Sequence, residues 1–234
     1  MSYAAMAPAV AAAAHAEVGA RTAFIRRTYA HVAGALIAFV ALEALFLRII
    51  PETFIGRMMT GYNWFIVLAA FMVIGWIADR WASSGASPAM QYLGLGLYVA
   101  AEAFIFTPLI TLAAFYSSPQ LLPSAAMLTL AVFAGLTLLV LGTGKDFSFL
   151  RAGLSVGGFI ALGLILASLL FGFNLGTIFA AVMVTLASGY IIYYTSNVLH
   201  RYRTDQHVAA SLALFAAVAL LFWYILSIFL SSRD

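Results

Sequence analysis

Glu102 and Glu43 are the residues of this chain whose type and setting most directly invite chemistry, because each places a carboxylic acid inside a long apolar run. A charge at a bilayer centre costs at least about 2.5–3.5 kcal/mol, so an acid inside a membrane span is expected to serve an ion or proton pathway. Glu102 falls near the middle of its run and is the candidate proton switch. Tyr98 lies one helical turn earlier on the same face and can donate a hydrogen bond to it. Pro108 leaves the carbonyl of Phe104 without its helical donor and is expected to kink the helix. Irregular backbone at that depth points to a cavity or to close protein packing. Glu43 is off-centre in an earlier run, with Arg48 nearer the end; Arg48 can snorkel to the interface and Glu43 cannot easily do so. The alternative role for both acids is structural, a buried protonated or hydrogen-bonded group that fixes helix register. Asp79 and Arg80 stand at the end of a run, where an interfacial ion pair is expected.

Other chemistries find little support. His31, His200 and His207 all fall near run ends on one side, but no carboxylate is spaced with them as a ligand set, so no metal site is assigned. Ser188-Gly189 is followed by a run with no histidine beyond its edge at His207, which argues against acyl transfer. The only lysine, Lys145, lies in a loop, which excludes a Schiff base within a helix. No cysteine is present, so disulfides, thiol catalysis and iron–sulfur ligation are ruled out. No catalytic residue and no cofactor is assigned, and the chain does not read as an enzyme.

The elements that position the acids follow from composition. Of 234 residues, 65% are apolar and 8% are charged, against about 45–50% and about 25% in a soluble domain. With about 20 residues per span, the length fits an all-α integral membrane bundle and leaves no room for a sizeable soluble domain. Seven spans are expected, at 28–50, 62–81, 90–114, 122–142, 153–172, 175–199 and 208–230. Pro51, Ser83-Ser84-Gly85, Ser117-Ser118-Pro119, Gly142-Thr143-Gly144 and the tight turn at Gly172-Phe173-Asn174 separate them. Residues 1–27 read as a loose tail without the basic start of a secretory signal, residues 28–230 as the membrane domain, and residues 231–234 as a short C-terminal tail.

Alternating the connections puts Arg21, Arg26, Arg27, Arg80, Lys145, Arg151, Arg201 and Arg203 on one side, and Arg48, Arg57 and Arg233 on the other. By the positive-inside rule the N-terminus is then cytoplasmic and the C-terminus outside. The net charge of +3 is too small and dispersed for a nucleic-acid partner. Gly153, Gly157 and Ala161 recur every four residues and are expected to let a neighbouring helix approach closely. No repeat of one half by the other supports a transporter.

Five strings carry a resemblance. They are Arg27-Thr-Tyr-Ala-His-Val-Ala-Gly34, Leu97-Tyr-Val-Ala-Ala-Glu-Ala-Phe-Ile-Phe-Thr-Pro108, Gly144-Lys-Asp-Phe-Ser-Phe-Leu150, Tyr193-Tyr-Thr-Ser-Asn-Val-Leu-His200 and Leu220-Leu-Phe-Trp-Tyr-Ile-Leu226. In this order, from about residue 27 to 230, the sequence resembles the Bax inhibitor family, most like a bacterial member. The resemblance implies a seven-helix fold whose last helix is surrounded by the other six, and a pH-sensitive calcium leak. It also implies roles in suppressing cell death and, for some bacterial members, in modulating a membrane-bound ATP-dependent protease. The family's calcium-leak members use two aspartates to sense pH; the matching positions here are Tyr194 and about Ala217, and no acid lies between Asp205 and Asp234.

Two functions are therefore expected of a protein in the bacterial cytoplasmic membrane. One is a pH-modulated leak for calcium or protons through Glu102 and Glu43, with Tyr98, Tyr194, Thr195 and Asn197 as supporting polar groups. The other is a non-conducting regulator that binds other membrane proteins such as the protease. Calcium normally takes about six to eight oxygens, several of them charged, so these groups are not expected to form a tight calcium site.

Overall fold

The computed structural model describes residues 12–60, 62–85 and 87–232. Its architecture is helical: α1 (Val18–Ile49), α2 (Glu52–Met59), α3 (Asn63–Ala82), α4 (Pro88–Phe115), α5 (Leu121–Thr143), α6 (Leu150–Phe171), α7 (Gly176–His200) and α8 (His207–Ser231). All but α2 are long and apolar enough to cross a membrane, which gives the seven expected spans. The start of α1 and the end of α8 accordingly lie at opposite faces of the bundle. The face shared by the start of α1 and the α3–α4, α5–α6 and α7–α8 connections carries most of the cations and is called the basic face below.

Local chemistry sets the boundaries. Ser87 caps α4, its hydroxyl accepting from the Met90 amide at 3.3 Å, with Pro88 at the first helical position. Gly144 and Gly172 end α5 and α6 in the left-handed region, with φ of 61° and 71°. The short α2, which the span pattern does not announce, buries Ile55 and Met58 and leaves its basic residue Arg57 in its last turn.

Residues 12–27 differ from the expected loose tail. The Ala13 amide donates to the Tyr202 carbonyl at 2.8 Å, Ala12 bridges to Arg203, and α1 starts at Val18 with Phe24 buried. An unpaired backbone amide beside the α7–α8 connection finds an acceptor there, and Phe24 packs with Val198 and Leu214. Residues 1–11 and Arg233 lie outside the described residues.

The core is built on α8, which packs on α1, α3, α4, α5 and α7. It is central, as expected, but α6 packs chiefly on α7. Small residues explain this: a Cβ on Gly157 would stand 2.8 Å from Leu186, and one on Gly158 2.7 Å from the Tyr190 hydroxyl, so α7 side chains seat against α6. Of the expected stripe, Gly157 and Ala161 are used in this way and Gly153 faces open space. Elsewhere α6 exposes Phe159, Ile160 and Leu170, as α1 exposes Ile37 and Val40 and α3 exposes Ile66 and Val73. These apolar surfaces suit hydrocarbon, not water.

Candidate functional site

Phe106 of α4 is the aromatic centre of the bundle. Its ring meets Phe39 of α1 edge-on at 5.1 Å, Trp223 of α8 edge-on at 4.9 Å and Phe222 of α8 in a stack at 5.8 Å. Edge-to-face pairs of this kind contribute about 0.5–1.5 kcal/mol each beyond their buried area. The two acids flank this cluster in sequence, Glu102 one turn before Phe106 on α4 and Glu43 one turn after Phe39 on α1.

Both acids are buried, Glu43 at 5% and Glu102 at 6% exposure. The Tyr98 hydroxyl is hydrogen-bonded to the Glu102 carboxyl, and no cation pairs with it among the described residues. Glu43 has no hydrogen bond to either carboxyl oxygen. The structure therefore brings Glu102 and Tyr98 together and does not bond Glu43 to Glu102. An unsatisfied buried polar group costs about 1–3 kcal/mol or more, so Glu43 is an expensive residue.

Pro108 lies inside an unbroken α4 and is buried. Beside it, the Thr107 hydroxyl donates to the Ala103 carbonyl at 2.9 Å and the Thr111 hydroxyl to the Thr107 carbonyl at 2.7 Å; both bonds go to carbonyls other than that of Phe104, the one the proline leaves without an amide donor. The α7 residues serve other neighbours. The Thr195 hydroxyl accepts from the Tyr29 hydroxyl of α1 at 3.5 Å, and Tyr194 stacks on Tyr190 at 5.9 Å. Asn197 keeps a buried side-chain oxygen without a hydrogen bond. Tyr194 and Asp79 both lie within electrostatic reach of Tyr98, a proximity of α3, α4 and α7 that sequence spacing does not reveal.

Asp79 and Arg80 do not form the expected pair. Arg80 turns onto the Trp76 ring, with its guanidinium carbon 5.8 Å from the centroid, because consecutive residues on a helix point about 100° apart. The described ion pairs are instead Arg203–Asp205 and a long Arg201–Asp146 contact at 3.9 Å, both solvent-exposed. Asp146 accepts from the Ser148 amide at 2.8 Å, which holds its carboxyl below the usual carboxylate range.

The three histidines separate. His200 donates to the Gly144 carbonyl at 3.1 Å, whereas His31 and His207 meet with ring centroids 5.0 Å apart. A groove of about 650 Å³ runs between α1 and α4, lined by Gly34, Ala38, Leu42, Gly96 and Val99 and reaching His31 and Tyr92. A second cavity of about 360 Å³ opens on the basic face beside Arg27, Tyr92, Asp205 and His207. Neither is lined by Glu43 or Glu102.

A bundle of seven long apolar helices, with the last of them central and two carboxyls buried inside the bundle, defines a helical integral membrane protein. The family described as "Inhibitor of apoptosis-promoting Bax1" matches residues 21–234, and the chain belongs to this Bax inhibitor family. It is 29% identical over 218 residues to Protein LIFEGUARD 4 of Arabidopsis thaliana, covering 89% of this chain and 85% of that one. It is 29% identical over 216 residues to Bax inhibitor 1 of Schizosaccharomyces pombe, covering 89% and 76%. Identity is also 29%, over 221 residues and 92% and 88% of the chains, with the Golgi anti-apoptotic protein of vaccinia virus strain Lister.

Proposed function

We propose that this Bax inhibitor family protein is a pH-modulated leak for calcium or protons, in which Glu102 exchanges its proton and Glu43 extends the path. The observation that carries the reading is the burial of both acids without a cation beside either. Packing alone has no need of a carboxyl at such depth, and an intramembrane acid is by default part of an ion or proton pathway. Tyr98 is the hydrogen-bonding neighbour of Glu102 on the same helix. With Tyr194 and Ala217 where the leak members' aspartates are expected, the acid that titrates differs from theirs. A tight calcium site is not part of this reading, because few charged oxygens converge. The protein is assigned to the bacterial cytoplasmic membrane, with the basic face and N-terminus inside and the C-terminus outside.

A second reading is a non-conducting regulator that binds membrane proteins such as an ATP-dependent protease. It is favoured by one observation: neither cavity reaches the acids. Neither reading involves catalysis.

Calcium and proton flux into liposomes holding the purified protein, scanned from about pH 5 to 8 to cover a desolvated carboxyl, separates the two. The leak reading expects a pH-dependent flux that Glu102→Gln abolishes. Folded protein with no flux above empty liposomes at any pH sinks it and leaves the regulator.

A further inference from the structure

His31 of α1, Tyr92 of α4 and His207 of α8 meet at the basic face in one chain of hydrogen bonds. His31 Nδ1 lies 2.6 Å from the Arg27 carbonyl, which can only accept, so this nitrogen carries a proton. In the neutral ring Nε2 is then bare and accepts from the Tyr92 hydroxyl at 3.1 Å. The Tyr92 oxygen in turn accepts from His207 Nε2 at 3.4 Å. His207 Nδ1 is left bare, and it is buried with no partner. With both imidazoles neutral, this is the assignment that satisfies the three contacts without leaving any N–H or O–H donor unpartnered.

From this junction we propose that His31, Tyr92 and His207 form a proton-operated clasp that holds α1, α4 and α8 together at the basic face and releases them when the imidazoles take up protons. A proton can enter at two places. On His31 Nε2 it turns the acceptor of the Tyr92 bond into a donor that the phenol oxygen can accept, but the phenol hydrogen is then left without an acceptor unless His207 shifts its own proton to the buried, unpartnered Nδ1. On His207 Nδ1 it creates a buried donor with no acceptor. Two charged rings with centroids 5.0 Å apart also repel each other. The charged groups facing them are Arg27 from α1, which adds to the repulsion, and Asp205 from the α7–α8 connection, which opposes it but is itself paired with Arg203. Tyr92 is the titratable neighbour on α4.

Release at this point widens the cavity beside Arg27 and Tyr92, and Glu102 lies ten residues further along α4, about 15 Å at 1.5 Å per residue. The clasp itself does not depend on conduction; its consequence for flux rests on the leak reading.

Because the chain has no cysteine, two can be introduced cleanly for spin labels, at the exposed Arg26 of α1 and Ala89 of α4. Electron–electron distances in lipid nanodiscs are then followed between pH 8 and 5, the range in which histidine charges. A longer distance is expected to appear at the acid end, and in His31→Gln combined with His207→Gln the pH response should vanish. Tyr92→Phe should give the longer distance already at pH 8. Should these variants not fold, ring nitrogen spectra of the unsubstituted protein decide. At pH 8 His31 must carry its proton on Nδ1 and His207 on Nε2, and any other tautomer pair overturns the clasp. A pH-independent distance, or a response that survives the double substitution, overturns it too. A distance that responds while no flux is seen keeps the clasp and removes the leak; a pH-dependent flux at fixed distance does the reverse.

Discussion

Tyr98 and Glu102 sit one turn apart on α4, and the phenol is hydrogen-bonded to the carboxyl within the bundle. Removing this bond separates a titrating acid from a structural one. Tyr98→Phe should cost about 0.5–1.5 kcal/mol of stability for the lost hydrogen bond. On the leak reading it also displaces the pH midpoint of flux, measured in liposomes. A stability loss with an unmoved flux profile would leave Tyr98 a packing residue.

Glu43 offers the opposite test. Its carboxyl oxygens have no hydrogen bond, so replacing the acid by an apolar group of similar size should stabilise the fold. Glu43→Leu is expected to gain about 1–3 kcal/mol, the cost of an unsatisfied buried polar group, read as a higher melting temperature in detergent. The same substitution should lower flux. A destabilised Glu43→Leu would mean that the carboxyl has a partner in the folded protein.

Gly94 marks the tightest backbone approach in the bundle. A Cβ there would stand 2.5 Å from the Ala78 carbonyl oxygen and 2.6 Å from the Ala82 amide, both backbone atoms of α3. Gly94→Ala should destabilise by about 1–3 kcal/mol, because α3 and α4 must separate. Gly96→Ala, two residues on, meets nothing within 4 Å and should be close to neutral. Gly157→Ala should fall between them, since the atom it meets is the mobile end of Leu186. Thermal unfolding of the three variants side by side checks the order.

The connection between α5 and α6 is fixed to α7 by Ser196, whose hydroxyl accepts from the Phe147 amide at 2.8 Å. Ser196→Ala should cost about 0.5–1.5 kcal/mol and increase amide exchange at residues 145–149. Asp146 gives the same connection a pH dependence. Its carboxyl is held below the usual range chiefly by the Ser148 amide, so it stabilises the folded loop only while ionised. That contribution is complete above the ordinary aspartate value of about 4 and is lost as pH falls through the lowered one. Amide exchange at Ser148, corrected for intrinsic rates, should rise below that range in the natural protein and not in Asp146→Asn. The effect should be small, because the group is exposed to solvent.

Much of the molecule was legible in the chain because a bilayer tolerates few alternatives. Runs of twenty or more apolar residues can only be spans, and Gly144 and Gly172 stop them where the backbone turns left-handed. The family strings likewise pointed to a central last helix, which α8 is. Helix faces were not legible. In spans apolar on nearly every side, periodicity does not say which side meets a neighbour and which meets lipid. The docking of Ala13 on Tyr202 was hidden for a related reason, since it uses backbone groups that every residue has.

The amino-acid sequence by itself therefore determined the class, the seven spans, the charge asymmetry and the two acids at membrane depth. These follow from local composition and from the cost of burying charge. The sequence also placed Tyr98 beside Glu102, but tertiary structure alone decided that Glu43 stands unpartnered and that Arg80 leaves Asp79 for Trp76. It also decided that His31 meets His207 through Tyr92 while His200 does not. Such contacts join residues up to 176 positions apart, and they depend on how each helix is rotated against its neighbours. Rotation is set by the summed fit of many side chains, as at Gly94 and Phe106, and no single position in the chain encodes it.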